Sequence, residues 1–202
     1  VNFGGKTCLD YGFLAGNLIC NSCTSVSSSS CSVKVTKIFT GVVHTCVLTD
    51  TAEVYCWGDN QYGQLGNGNA PTDALVPTKV TGLSGVIDIA AGAYHTCALK
   101  SDGTVYCWGF DTSGQLGDNA DLVQKVIPVA AAITGVAKIR TNHYGLHTCA
   151  LKTNGEVWCW GKNNYGQIGD GGALTDRPTP VKVAITGVTD LFLGSEDSCA
   201  IK

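Results

Sequence analysis

From Val35 onward, short runs of β-branched and apolar residues alternate with turns rich in Gly, Asn and Asp. "VTKIFTG", "VIDIAAG", "VAKIRTN" and "VTDLFLG" each close on Gly or, once, Asn, while "VPTKV", "VIPVA" and "TPVKV" are strand-like runs carrying proline. Between them lie stretches such as "HTCALKSDGTVYCWG", residues 95–109, where two alternating segments flank a Ser-Asp-Gly turn. Runs this short, bounded by turn formers, predict strands and hairpins. The longest apolar stretches, such as "VIPVAAAITGVA" from Val126 to Ala137, are well short of the roughly 20 residues that span a bilayer as a helix, so no membrane span is expected.

The pattern repeats. "HTCVLTDTAEVYCWGDNQYGQLGNG" begins at His44, "HTCALKSDGTVYCWGFDTSGQLGDN" at His95 and "HTCALKTNGEVWCWGKNNYGQIGDG" at His147, at spacings of 51 and 52 residues. A fourth copy opens with "DSCAIK" at Asp197. Four short strands in each period of about fifty residues define a β-propeller blade. The expected fold is therefore all-β, with blades over residues 35–85, 86–135 and 136–187 and a partial blade over 188–202, after a cysteine-rich segment over 1–34. These motifs resemble the repeat of the regulator of chromosome condensation family over roughly Val35 to Lys202. The resemblance implies a propeller that closes with about seven blades, of which this chain supplies three and the first half of a fourth.

In an antiparallel hairpin the numbers of opposed residues have a constant sum, so a turn at Ser101, Asp102 and Gly103 sets Lys100 against Thr104 and Cys97 against Cys107. The same count sets Cys46 against Cys56 and Cys149 against Cys159. Opposed side chains on one face stand about 4.5 to 5.5 Å apart at Cβ, close to what a disulfide needs. A metal site is the competing reading, since His44, His95 and His147 each precede a cysteine by two. One His and two Cys make three ligands, and a structural zinc wants about four. A redox pair is usually a close C-x-x-C at a helix start, whereas these cysteines lie within strands. One structural disulfide per blade is the favoured reading, with no metal, no cofactor and no catalytic residue expected.

The three histidines occupy equivalent places, which points to a need shared by every blade, such as hydrogen bonding within the hairpin, and not to one asymmetric active site. Trp57, Trp108 and Trp160 belong to the repeated "CWG", with Trp158 beside the third copy, and are expected in the core between blades. "GQLGNG", "GQLGDN" and "GQIGDG" lack the lysine of a phosphate loop and the acidic spacing of a calcium loop, so they read as turns.

Cys8, Cys20, Cys23 and Cys31 fall in the segment before the blades, beside a serine-rich run. Two disulfides of unassigned connectivity are expected there, with a four-cysteine zinc cluster as the alternative. Cys199 is then left over, either because its partner lies ten residues on, past Lys202, or because another chain supplies the missing strand.

Composition agrees with a secreted protein. Eleven cysteines in 202 residues exceed cytosolic usage, and the chain, without methionine or a leader, reads as mature or excised material. A net charge of -3 with scattered Lys and Arg gives no electrostatic pull toward nucleic acid or an anionic membrane. Guanine-nucleotide exchange and chromatin binding, which the founding nuclear member of the family would imply, conflict with that charge and with an oxidising compartment. The expectation is a non-enzymatic structural or adhesive component, extracellular or at the cell surface, whose partner is protein, including further copies of itself head to tail. The alternative is a secreted protein-binding module or enzyme inhibitor using one propeller face, as the family's inhibitor of a secreted β-lactamase implies. Its candidate aromatics are Tyr62, Phe110, Tyr144 and Tyr165.

Overall fold

The computed structural model describes residues 19–22, 25–27 and 34–202. Ile19–Ser22 (β1) and Ser25–Ser27 (β2) pair antiparallel. The disulfides expected of Cys8, Cys20, Cys23 and Cys31 lie outside the described residues.

Three four-stranded antiparallel meanders follow. The first contains Val35–Thr40 (β3), His44–Thr49 (β4), Val54–Gly58 (β5) and Ala74–Lys79 (β6). The second contains Val86–Ala91 (β7), His95–Lys100 (β8), Val105–Gly109 (β9) and Lys125–Ala130 (β10). The third contains Val136–Arg140 (β11), His147–Lys152 (β12), Val157–Gly161 (β13) and Arg177–Lys182 (β14). Asp190–Leu193 (β15) and Ser198–Ile201 (β16) form a two-stranded half blade. The described residues are all-β, and no helix among them is long and apolar enough to cross a membrane.

The first strands of neighbouring blades approach one another, and the fourth strands lie outermost. Proline follows this layout: Pro77, Pro128, Pro178 and Pro180 sit in β6, β10 and β14, the edge strands, where a missing N–H costs no ladder bond. The second strand of the middle blade, "HTCALK" of β8, is buried on both faces because a blade lies on each side. The core is therefore a series of layers between blades. One layer joins Cys97, Leu99, Val105 and Leu116 of the second blade to Ile139, Ala150 and Trp160 of the third. Its counterpart joins Cys46, Leu48, Val54 and Leu65 to Ile89, Ala98 and Trp108.

The β-hairpin turns follow glycine chemistry in two blades. Gly103 and Gly155 take the left-handed backbone with φ of 78°, and the first blade puts Ala52 there at φ of 58°.

Candidate functional site

Each central hairpin carries its cysteines face to face. Cys46 opposes Cys56, Cys97 opposes Cys107 and Cys149 opposes Cys159. The hydrogen-bonded pair that closes each turn, such as Lys100 N–H to the Thr104 carbonyl at 2.9 Å, lies three rungs away. Alternation along the ladder makes each cysteine pair a non-hydrogen-bonded one, the closer kind. All three pairs are joined as disulfides with Cα atoms 4.1 Å apart. Every one of the six sulfurs is buried. Each bridge faces the next blade, so the cross-links lie inside the layers they support.

The histidines act across blades and not within the hairpin. The imidazole Nε2 of His44 lies 2.8 Å from Thr96 Oγ1, that of His95 3.0 Å from Thr148 Oγ1, and that of His147 3.1 Å from Ser198 Oγ. Each of those hydroxyls donates its single proton to a backbone carbonyl of the preceding blade: Thr96 to Gln64, Thr148 to Gln115 and Ser198 to Gln167. The hydroxyl must then accept from the imidazole, which places a proton on each Nε2. Burial pushes the ring pKa down, to about 4 for His44 and His147 and about 3 for His95. Gly41 and Gly92 make room, since a Cβ there would stand 2.3 and 2.2 Å from the imidazole carbons of His44 and His95.

The same glutamine carbonyls seat the tryptophans. Trp108 donates its indole N–H to the Gln64 carbonyl at 2.9 Å, and Trp160 donates to the Gln115 carbonyl at 3.0 Å. Gly66 and Gly117 lie flat beneath these rings, where a Cβ would come within 2.7 Å of the indole nitrogen. Trp108 and Trp160 are fully buried. Trp57 is only half-buried, because no blade among the described residues precedes it, and Trp158 is partly buried, donating to Glu156 at 3.2 Å. The sequence pattern marked the Trp and His positions. It did not identify Thr96, Thr148, Ser198 or the glutamine carbonyls as their partners, although the dipeptide His-Thr was the available signal.

The last described strands form the half blade. β16 is an edge strand, exposed along its length, and Cys199 on it is the free cysteine among the described residues. Beside it lies a cleft of about 560 Å³ whose walls include Cys149, Cys159, Ile168, Val183, Ile185 and Gly169.

Two further groupings complete the surface. Tyr62 and Phe110 meet at a centroid distance of 4.8 Å, and both meet Tyr94, which sequence reading missed, at 5.4 and 6.2 Å. Tyr144 and Tyr165 have other neighbours: His143 at 4.4 Å and the Lys162 ammonium at 5.9 Å. Along the inner strands Lys37 and Arg140 both reach Asp88, at 2.9 and 3.2 Å, and Lys138 reaches Asp190 at 3.2 Å. As partly exposed pairs these contribute little energy singly.

An arc of antiparallel four-stranded blades with inter-blade tryptophans is a propeller-repeat protein. Comparison with known proteins makes the class specific. A profile of the regulator of chromosome condensation (RCC1) repeat matches residues 52–99 and 102–151, and a second profile of that repeat matches 35–64, 86–115 and 144–167. The chain belongs to the RCC1 repeat family. It is 35% identical over 154 residues to the ultraviolet-B receptor UVR8 of Arabidopsis thaliana, covering 75% of this chain and 34% of the receptor. It is 32% identical over 177 residues to the human E3 ubiquitin-protein ligase HERC2, covering 84% of this chain and 4% of the ligase. Among solved structures, yeast RCC1 (Prp20) bound to Kap60 superposes with a TM-score of 0.72 at 24% identity, over 81% of this chain and 41% of that one. Human WBSCR16 superposes with a TM-score of 0.69 at 26% identity, over 82% and 44%. The chain thus spans about a third or less of these curated relatives and under half of these solved neighbours.

Proposed function

We propose that this chain is a non-enzymatic structural or adhesive component working outside the cell or at its surface, and that it joins protein partners, including further copies of itself, through its blade edges. The observation that carries the reading is the buried disulfide in each complete blade. Bonds of this kind persist in an oxidising compartment, and three at equivalent places stabilise the repeat in the absence of the long core a larger domain would bury. The histidines are buried between blades, where no substrate reaches their Nδ1. A net charge of -3 gives no basis for a nucleic-acid partner.

A secreted binding module or enzyme inhibitor is the second reading, favoured by the Tyr62, Tyr94 and Phe110 cluster, since half-buried aromatics dominate protein-binding surfaces. Electron microscopy of native preparations, with light scattering, separates the two. Filaments or layers support the structural reading. Dispersed monomeric particles refute it.

A further inference from the structure

The loop joining the third strand of each blade to the fourth is held by a small set of bonds, and the middle blade lacks most of them. Asn60, Asp111 and Asn163 occupy the same place in the three copies, and Oδ1 of each accepts from a backbone N–H of its own loop: Leu65 at 3.1 Å, Leu116 at 3.0 Å and Ile168 at 3.1 Å. The other side-chain atom differs. Asn60 donates through Nδ2 to the Thr72 carbonyl at 3.0 Å and to Asn67 Oδ1 at 3.2 Å, and Asn163 donates to the Ala173 carbonyl at 3.0 Å. In the middle blade that atom is Asp111 Oδ2, which is fully buried and has no partner. The backbone tether is missing as well: Asp73 and Asp176 accept from the N–H groups of Asn60 and Asn163 at 3.0 and 2.9 Å, whereas their counterpart Gln124 is exposed and takes no bond from Asp111. So is the tie to the next blade. Gly68 donates its N–H to the Val126 carbonyl at 3.0 Å, and among the described residues its counterpart Asn119 has no such bond to Pro178.

We propose that the loop over residues 117–124 is a proton-gated element: the Asp111 carboxyl, when protonated, fills the donor place of the two asparagines and holds the loop down, and loss of that proton releases it. A carboxylate only accepts, while a carboxylic acid has one O–H to give. Its acceptors are those the asparagines use, a loop carbonyl or the side chain at residue 118, where Asp118 stands for Asn67. The charged groups facing Asp111 are Asp118 and Asp121 of the same loop and Lys125 of β10. The Lys125 ammonium lies 2.5 Å from Asp121 and 3.9 Å from Asp118, so those two carboxylates engage it and Asp111 keeps no cation of its own. Burial favours the proton and raises the carboxyl from 3.8 to about 7, with the Asp118 charge adding to the rise. Because the closed loop binds this proton more tightly than the open one, opening becomes easier as pH climbs from 3.8 and levels off above 7. Leu122 and Val123 ride on the loop at 48% and 55% exposure, so the gate stiffens an apolar rim of the middle blade in mild acid and frees it in mild alkali.

Native hydrogen exchange on the 202-residue chain, read by mass spectrometry as protection factors, tests this with two controls inside the molecule. The reporters are the bonded amides of Leu116, Gly117, Ala120 and Val123. Their protection should fall about tenfold between pH 6 and 8, the factor that one proton gives when its site titrates near 7 closed and near 4 open. Residues 65–73 and 168–176, whose asparagines do not titrate, should keep theirs. Asp111→Asn should hold the loop equally at both pH values, and Asp111→Ala should leave it open at both. No fall in the native chain, an equal fall in the two sister loops, or a fall that survives in Asp111→Asn would overturn the proposal. Calcium added at pH 8 should leave the loop open; restored protection would give the donor's place to a metal ion and overturn the proton.

Discussion

Acidification should open the inter-blade latches before surface carboxylates begin to titrate. His44, His95 and His147 are buried neutral donors between blades, with pKa values of about 4, 3 and 4 against an ordinary 6.5. Because the folded values are depressed, the unfolded chain binds more protons below pH 6.5, and stability falls as pH falls from that value. At pH 5 each unfolded imidazole has gained about 1.5 units of protonation drive, which at about 1.4 kcal/mol per unit costs about 2 kcal/mol per histidine and about 6 for the three. Asp111 opposes this. It is buried, and desolvation raises its carboxyl from 3.8 to about 7, so between those values the folded chain holds one proton more than the unfolded. The net uptake on unfolding near pH 5.5 is about two protons, a slope of about 2.7 kcal/mol per pH unit. Guanidinium titrations without reductant at half-unit steps from pH 7 to 5 measure it. A flat profile, or imidazole pKa values above 6 by NMR, would refute the neutral-latch account.

Other perturbations isolate single parts. Asp111 stands where Asn60 and Asn163 donate amide bonds to the Thr72 and Ala173 carbonyls at 3.0 Å, and its own Oδ2 has no partner. Asp111→Asn should therefore stabilise the fold by about 2 to 4 kcal/mol at pH 8 and add little below pH 4, where the acid is protonated in both states. A loss of stability at pH 8 in calorimetry would contradict this. Gly117→Ala puts a methyl within 2.7 Å of the Trp160 indole and should cost about 2 to 3 kcal/mol, with Trp160 fluorescence shifting as its bond to Gln115 breaks. Ala52→Gly relieves a left-handed alanine and should raise the unfolding free energy by about 0.5 to 1 kcal/mol, measured by denaturant titration. The double variant Cys97→Ala with Cys107→Ala should lose about 2 to 3 kcal/mol through loop entropy, read by thermal unfolding with and without reductant.

Most of the fold was legible because a repeat states its own answer several times. Strand type followed from β-branched runs between glycine turns, and the hairpin sum that sets Cys97 against Cys107 needed only the position of one turn. What could not be read were contacts made between copies. The bond from His95 to Thr148 spans 53 residues, and a pattern inside one period carries no sign of which face meets the next. Reading the histidines as hairpin residues missed the layer that holds the blades together. The contrast between half-buried Trp57 and buried Trp108 depends on whether a blade lies in front, which the motif "VYCWG" in both cannot reveal. Asp111 looks like a neutral change from Asn60 and Asn163 until burial shows what its charge costs.

The proposed extracellular scaffold role stands on covalent links inside the blades, and native protein can be asked directly. Alkylation under denaturing, non-reducing conditions followed by peptide mapping should recover Cys46 with Cys56, Cys97 with Cys107 and Cys149 with Cys159. Label on any of the six blade cysteines in freshly isolated material would contradict the staples and the oxidising compartment inferred from them.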